Sequence, residues 1–221
     1  IDAAAEFKMY SSDVTRTFPV NGKFTKVQQD VYTEVLKAQE IGIKNVTTKK
    51  TMSDIHTSTV ASISQSLVDL GLVPMGVEET ISMMHYFEFF MHGTGHWLGL
   101  DVHDAGTTEE KNKPRKLKPG MVTTIEPGIY IRPNKPEIEF KLLERDPKKI
   151  RERRKSLGME KATKLESEEM KDAKSIKHKI PKDLLGIGIR IEDDIVCTEN
   201  DPINLTIGAP KTIDDVEAIC S

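Results

Sequence analysis

The chain has 221 residues, of which 37% are apolar and 30% charged, and its formal net charge is −3. That length suits one domain of good size, or one with a small appendage. The mild acidity gives no reason to expect nucleic acid or an anionic membrane as a partner. No run of about 18 apolar residues occurs, so no membrane span is expected. The two distant cysteines, Cys197 and Cys220, suggest a reducing, cytoplasmic setting and no disulfide framework. The chain opens at Ile1-Asp2-Ala3 without a signal-peptide pattern and reads as a fragment or processed form.

Residues 1–20 read as two strands around a turn, since Val14 and Phe18 with Thr15 and Thr17 between them favour strand. Asp2 and Asp13 then lie side by side; taken singly, each is an ordinary turn or strand-end aspartate. Thr25-Lys26-Val27-Gln28 matches a capping box for a helix to about Ile41. Val27, Val31, Val35 and Ala38 form its apolar face, and Gly42 is expected to end it. A second helix is expected from Ser53-Asp54 to Leu70, capped by Gly71, with His56 as a solvated residue on it. A short helix over residues 78–84 brings Met83 and Met84 to the core.

Next comes His92-Gly93-Thr94-Gly95-His96-Trp97-Leu98-Gly99-Leu100-Asp101-Val102-His103-Asp104. Three imidazoles and three glycines within this stretch favour a site over a pair of core histidines in a Gly-rich turn. After a basic loop at 111–118, residues 121–131 have strand character, broken by Pro127-Gly128 directly after Glu126. A carboxylate placed inside an apolar run needs a cation or hydrogen-bond donors. Residues 137–183 are rich in Lys, Arg and Glu and read as an inserted helical hairpin or mobile lid, most simply a solvated insertion. Alternating isoleucines over 187–195 mark a strand with Arg190 and Glu192 on its other face, and a short helix begins near Ile213-Asp214.

Asp2, Asp13, His96, Glu126 and Glu192 all sit on extended chain beside glycines or breaks. Four carboxylates converging without cations would repel one another. Two divalent metals would neutralise them, and an oxygen-rich donor set favours Mn or Mg. A pair of metals about 3.5–4 Å apart lowers the pKa of a shared water and stabilises the tetrahedral intermediate of hydrolysis.

The segments Asp13-Val14-Thr15-Arg16-Thr17-Phe18-Pro19, His92 to Asp104, Thr124-Ile125-Glu126-Pro127-Gly128 and Gly188-Ile189-Arg190-Ile191-Glu192-Asp193-Asp194 resemble the motifs of the M24 metallopeptidases, aminopeptidase P above all. Four motifs in the family's order make the resemblance specific, and it covers most of the chain outside 137–183. It implies an α+β pita-bread (creatinase/aminopeptidase-like) fold with a curved antiparallel sheet, here with its first half incomplete. It also implies two divalent metal ions, commonly Mn2+. By motif position, Asp2 would chelate one metal, Asp13 and Glu192 would bridge, and His96 would bind the other. Glu126 would bind that metal too and shuttle protons. A hydroxide between the metals would attack the carbonyl before proline, His103 would stabilise the oxyanion, His92 would line the proline pocket, and Arg190 would support the site. His85 lies outside these positions, as a core or surface residue.

The family normally has Gly where this chain has Ala4, and its catalytic domain begins well before the first aspartate. The resemblance therefore implies a fragment, residues 1–221, with weak or no activity alone, acting in its full-length, homo-oligomeric form on proline-containing peptides. Two other readings stand beside it: an Xaa-Pro dipeptidase (prolidase) using the same centre, and an inactive peptide- or protein-binding module of the same fold.

Overall fold

A computed structural model describes residues 1–111 and 113–220. Four two-residue strands open the chain: β1 Asp2–Ala3, β2 Glu6–Phe7, β3 Tyr10–Ser11 and β4 Val14–Thr15. β2 and β3 form a small hairpin, and β1 returns antiparallel on β4 with Asp2 opposite Thr15. The pairing expected for residues 1–20 is present in these short pieces.

Two capped helices follow. In α1, Lys26–Lys44, the Thr25 side chain accepts from the Gln28 backbone N–H and Gln28 answers in return. In α2, Met52–Asp69, Thr51 and Asp54 form the same reciprocal cap, which stabilises a helix start by roughly 1 kcal/mol. α1 runs past Gly42. That glycine is a contact point and not a terminator, because a Cβ there would lie 2.8 Å from Ile125 Cγ2. Gly71, with φ +67°, follows the end of α2 in the left-handed region. A short α3, Val77–Ser82, and a 3-10 turn at His85–Glu88 complete this part. His85 is buried there, its Nε2 2.8 Å from the Lys141 carbonyl.

The small hairpin β5 Glu109–Glu110 and β6 Lys113–Pro114 occupies the basic loop. Then come β7 Val122–Ile125 and β8 Gly128–Tyr130, the two halves of the expected strand, separated at Glu126-Pro127. Their partners are β11 Gly188–Arg190 and β12 Asp193–Val196, likewise two strands where continuous alternation suggested one. β8 pairs β11 with Arg190 opposite Gly128, and β7 pairs β12 with Asp193 opposite Ile125. β13, Ile203–Asn204, extends the β7–β12 sheet, and α6, Ile213–Ile219, ends the chain. Every pairing between named strands is antiparallel.

The 137–183 segment departs from a purely solvated hairpin. Its ends form β9, Glu137–Lys141, and β10, Ser175–Lys179, a five-residue antiparallel ribbon. Ile138, Phe140 and Ile180 are buried in the main core. Only the middle, α4 Pro147–Leu157 and α5 Met159–Asp172, is a charged helical hairpin, tied by Arg153–Glu169 and Arg154–Glu166 ion pairs.

Two apolar clusters result. The larger joins Val31, Val35, Ile63 and Leu67 of the helices to Ile129, Ile189 and Ile191. The smaller gathers Val46, Ile55, Leu117, Ile125 and Ile195. The strand interruptions at Glu126 and Glu192 fall between the two. Among the described residues no helix is long and apolar enough to cross a membrane, and Cys197 and Cys220 are both free.

Candidate metal centre

At the interruptions the backbone takes partners outside the two ladders. Glu126 N–H donates to the Thr94 carbonyl at 2.7 Å, and Glu192 N–H donates to the Thr15 carbonyl at 3.1 Å. The first bond draws in the glycine-rich histidine loop and the second draws in β4. The loop is fastened further along β7: Thr124 N–H donates to the His96 carbonyl, and His96 N–H to the Thr124 hydroxyl at 3.1 Å. Gly95 permits this approach, since a Cβ there would stand 1.8 Å from the Thr124 carbonyl oxygen. Asp13 is held from the other side by its N–H, which donates to Asp194 Oδ2 at 3.1 Å.

These fastenings bring Asp2, Asp13, His96, Glu126 and Glu192 together. Three donor groups have ligand atoms within 4.8 Å of one another: Asp2, Asp13 and Glu192; His96, Glu126 and Glu192; and Asp13, His96 and His103. Glu192 is shared by the first two and Asp13 by the first and third. His103 joins the third group, its ring 4.1 Å from that of His96 and edge-on to it. His92 Nδ1 is 3.8 Å from Glu126 Oε2. Arg190 donates to Asp2 Oδ2 at 2.8 Å and lies 3.5 Å from Glu126 Oε2. Every residue singled out for the site therefore stands in or beside one cluster, with Asp2 the most exposed of the carboxylates.

The electrostatics fit bound cations. His96 Nδ1 faces the Trp97 carbonyl at 3.0 Å, so in a neutral ring it carries the proton. Nε2 is then a lone pair, yet it faces Asp13 Oδ2 at 3.3 Å and Glu126 Oε1 at 3.8 Å. An acceptor nitrogen facing two carboxylates is an arrangement that a cation between them would complete. Burial, with Asp13 and Asp2 nearby, pushes Glu126 up to about 7 against the opposing pull of Arg190. Burial and the charges of Glu126, Asp13 and Asp2 push Glu192 up to about 7, although Thr15 donates to it at 2.6 Å. Asp13 is also raised, by burial and then by Asp2. One guanidinium does not balance four carboxylates, whereas divalent ions would.

Several supporting residues escaped the sequence reading. Arg16 donates to the Glu192 carbonyl and to Asp193 Oδ1, both at 2.6 Å. Asp193 also accepts from Lys211, Gln39 and Asn204. Burial would raise the Asp193 carboxyl, but Lys211 and Arg16 outweigh it and hold the group below the usual range. Tyr130 O–H lies 2.8 Å from His92 Nε2. His56 is not the solvated residue expected: its Nδ1 lies 2.9 Å from the Thr94 hydroxyl. Gln39, a long polar side chain beside Ala38 on the packed face of α1, was the one legible signal among these. A cavity of 280 Å³ adjoins the cluster, lined among others by Met52, His56, His96, Trp97 and His103.

An α+β fold whose interrupted antiparallel strand pairs bring four carboxylates and an imidazole together offers a donor set that could hold divalent metal ions. The sequence profile described as "Metallopeptidase family M24" matches residues 1–199, and the chain belongs to that family. It is 38% identical to an Xaa-Pro aminopeptidase of Haemophilus influenzae over 98% of this chain, and 37% identical to that of Escherichia coli over 99%. It covers 40% of each relative's length. The structure of Pseudomonas aeruginosa aminopeptidase PepP superposes with a TM-score of 0.77 at 36% identity, covering 99% of this chain and 40% of that one. The expected pita-bread fold is thereby borne out.

Proposed function

We propose that this chain carries the catalytic centre of an Xaa-Pro aminopeptidase, which hydrolyses the bond between the first residue of a peptide and a following proline. The convergence of Asp13, His96, Glu126 and Glu192 where both strand pairs break carries this reading, and the named relatives support it. Asp2, Asp13, His96, Glu126 and Glu192 would hold two divalent ions, Mn2+ by preference for an oxygen-rich set. Such ions, when bound, polarise the scissile carbonyl and make water nucleophilic at neutral pH.

The chain's own residues supply the rest. Glu126 serves as the proton shuttle of the reaction. It takes the proton of the attacking water and delivers it to the prolyl nitrogen as the C–N bond breaks. An amide anion is a poor leaving group, so the prolyl nitrogen needs that proton to depart as a secondary amine. His103 donates to the developing oxyanion. His92, braced by Tyr130, borders the space for the proline ring. Arg190 orients Glu126 and Asp2. The two free cysteines suit a reducing compartment, the cytoplasm, and the full-length protein is proposed to be a homo-oligomer.

The test is Mn2+-dependent hydrolysis of an Xaa-Pro-Xaa tripeptide and an Xaa-Pro dipeptide, by this chain and by the longer chain of which it would form part. Tripeptide cleavage by the longer chain, lost in Glu126→Gln, is expected, with weak or no activity in the short one. Dipeptide cleavage alone would make the protein a prolidase. Failure of both chains to bind a divalent ion would leave a peptide-binding module.

A further inference from the structure

We propose that His56 is a positioning residue for the ligand loop, setting His92, His96 and Glu126 through Thr94 and Phe90. This rests on the metal-centre reading above for its consequence, though not for its geometry. His56 lies in the second turn of α2 and is largely removed from solvent. Burial, followed by the nearby His92, pushes its pKa down, so the ring is neutral and has one donor and one acceptor to offer. Its Nδ1 hydrogen-bonds the Thr94 hydroxyl at 2.9 Å. Among the described residues this is the only side-chain hydrogen bond given to Thr94.

Thr94 is 3% exposed and stands between Gly93 and Gly95. A residue with glycine on both sides inherits little stiffness from its neighbours, so its own contacts, together with the His96–Thr124 bonds, fix where the loop points. Among its contacts are His56 at the hydroxyl, the Glu126 N–H at the carbonyl, and Gly42 of α1 beside the methyl, where an added Cβ would come to 3.7 Å. Through the carbonyl, Thr94 fixes Glu126; through the chain, it fixes His92 and His96 two residues away on either side. A second route runs through Phe90, whose ring lies 6.0 Å from that of His56 and meets the His92 ring edge-on at 4.8 Å. The 280 Å³ cavity lies on the same side of the loop. Without the imidazole the loop would have room to turn into it.

The test compares wild type with His56→Leu, which fills space without the bond, and His56→Asn, which returns a polar atom near the Nδ1 position. Ring-proton NMR signals of His92 and His96 are read in the metal-free chain, and Mn2+ affinity is read by calorimetry. In His56→Leu both sets of ring signals should shift, and Mn2+ affinity should fall about tenfold, the low end for residues that support metal ligands. His56→Asn should restore both. Thr94→Val should reproduce His56→Leu, and the double variant should lose no more than either single one. Unmoved ring signals in His56→Leu, or equal losses in the Leu and Asn variants, would overturn the assignment. If wild type takes up no Mn2+, the metal-centre reading fails by itself. The ring signals still decide on His56: a shift in Leu that Asn reverses upholds it, and no shift overturns it.

Discussion

Replacing Glu192 by Gln should make the metal-free protein more stable and the metal-loaded protein less so. Glu192 is 1% exposed, and burial with three neighbouring carboxylates pushes it up to about 7 from an ordinary 4.5. A raised carboxyl means that the folded state binds the proton more tightly than the unfolded one, so stability is greatest below the unfolded pKa and is lost as pH rises through about 7. The difference converts to about 3 kcal/mol at 1.36 kcal/mol per unit. Gln mimics the protonated form, and its carbonyl oxygen still accepts from Thr15, so the variant escapes the loss. In EDTA near pH 8, urea unfolding followed by the fluorescence of the single tryptophan, Trp97, should show the variant about 3 kcal/mol more stable. Towards about pH 5 the two should converge as Glu192 protonates in the folded wild type. With Mn2+ at about a hundred times its dissociation constant, wild type gains about 2.7 kcal/mol. The variant, lacking a charged ligand, gains less, and the order reverses or closes. A variant less stable than wild type in EDTA near pH 8 would refute the view that Glu192 is an uncompensated buried charge awaiting a cation.

Three further outcomes follow from the same geometry. Gly95→Ala drives a methyl into the Thr124 carbonyl and should cost about 3 kcal/mol or more in thermal or urea unfolding, a size reserved for strain of this kind. Arg16→Met leaves the fully buried Asp193 with Lys211 as its one paired cation among the described residues and should cost about 3 kcal/mol near neutral pH. Because the Asp193 carboxyl is held below the usual range in wild type, that deficit should shrink as pH falls and the carboxyl protonates. Excising 147–172 with a short turn between β9 and β10 should change stability by no more than about 1 kcal/mol, because α4 buries no residue and α5 buries only Ala162. Excising 137–183 takes Ile138, Phe140 and Ile180 from the core and should abolish cooperative unfolding.

What the sequence made legible was local. The Thr25–Gln28 capping box, the apolar face of α1 and the break after Glu126 can each be read from a few neighbouring residues. The second break was hidden, because the alternation of Ile189, Ile191 and Ile195 runs straight across it while the hydrogen bonds do not. The charge of 137–183 masked three apolar residues at its ends that only the folded ribbon turns inward. His56 was misjudged because helical periodicity gives the spacing of a face and not what that face meets: here it meets Thr94, 38 residues on. Asp2 and Glu192 meet across nearly the whole chain, and no local pattern records that. The family motifs did, because they mark residues by shared chemistry and not by proximity.

The position of the centre follows from the same interruptions. Two apolar clusters lie on either side of the Glu126 and Glu192 breaks, and a continuous ladder would have sealed the seam between them. Breaking both strands at one level frees backbone groups, and these are taken by other ligand-bearing segments: Glu126 by the histidine loop, Glu192 by β4. Asp13 on that same segment is held in turn by Asp194 of β12. Each of these three candidate ligands is thus placed by its backbone N–H, which bonds another segment of the site. Hydrogen bonding gathers the carboxylates and their charge opposes the gathering; burial first, and then the neighbouring carboxylates, push Glu126 and Glu192 up to about 7. A divalent ion bound here would relieve a repulsion the fold has already built.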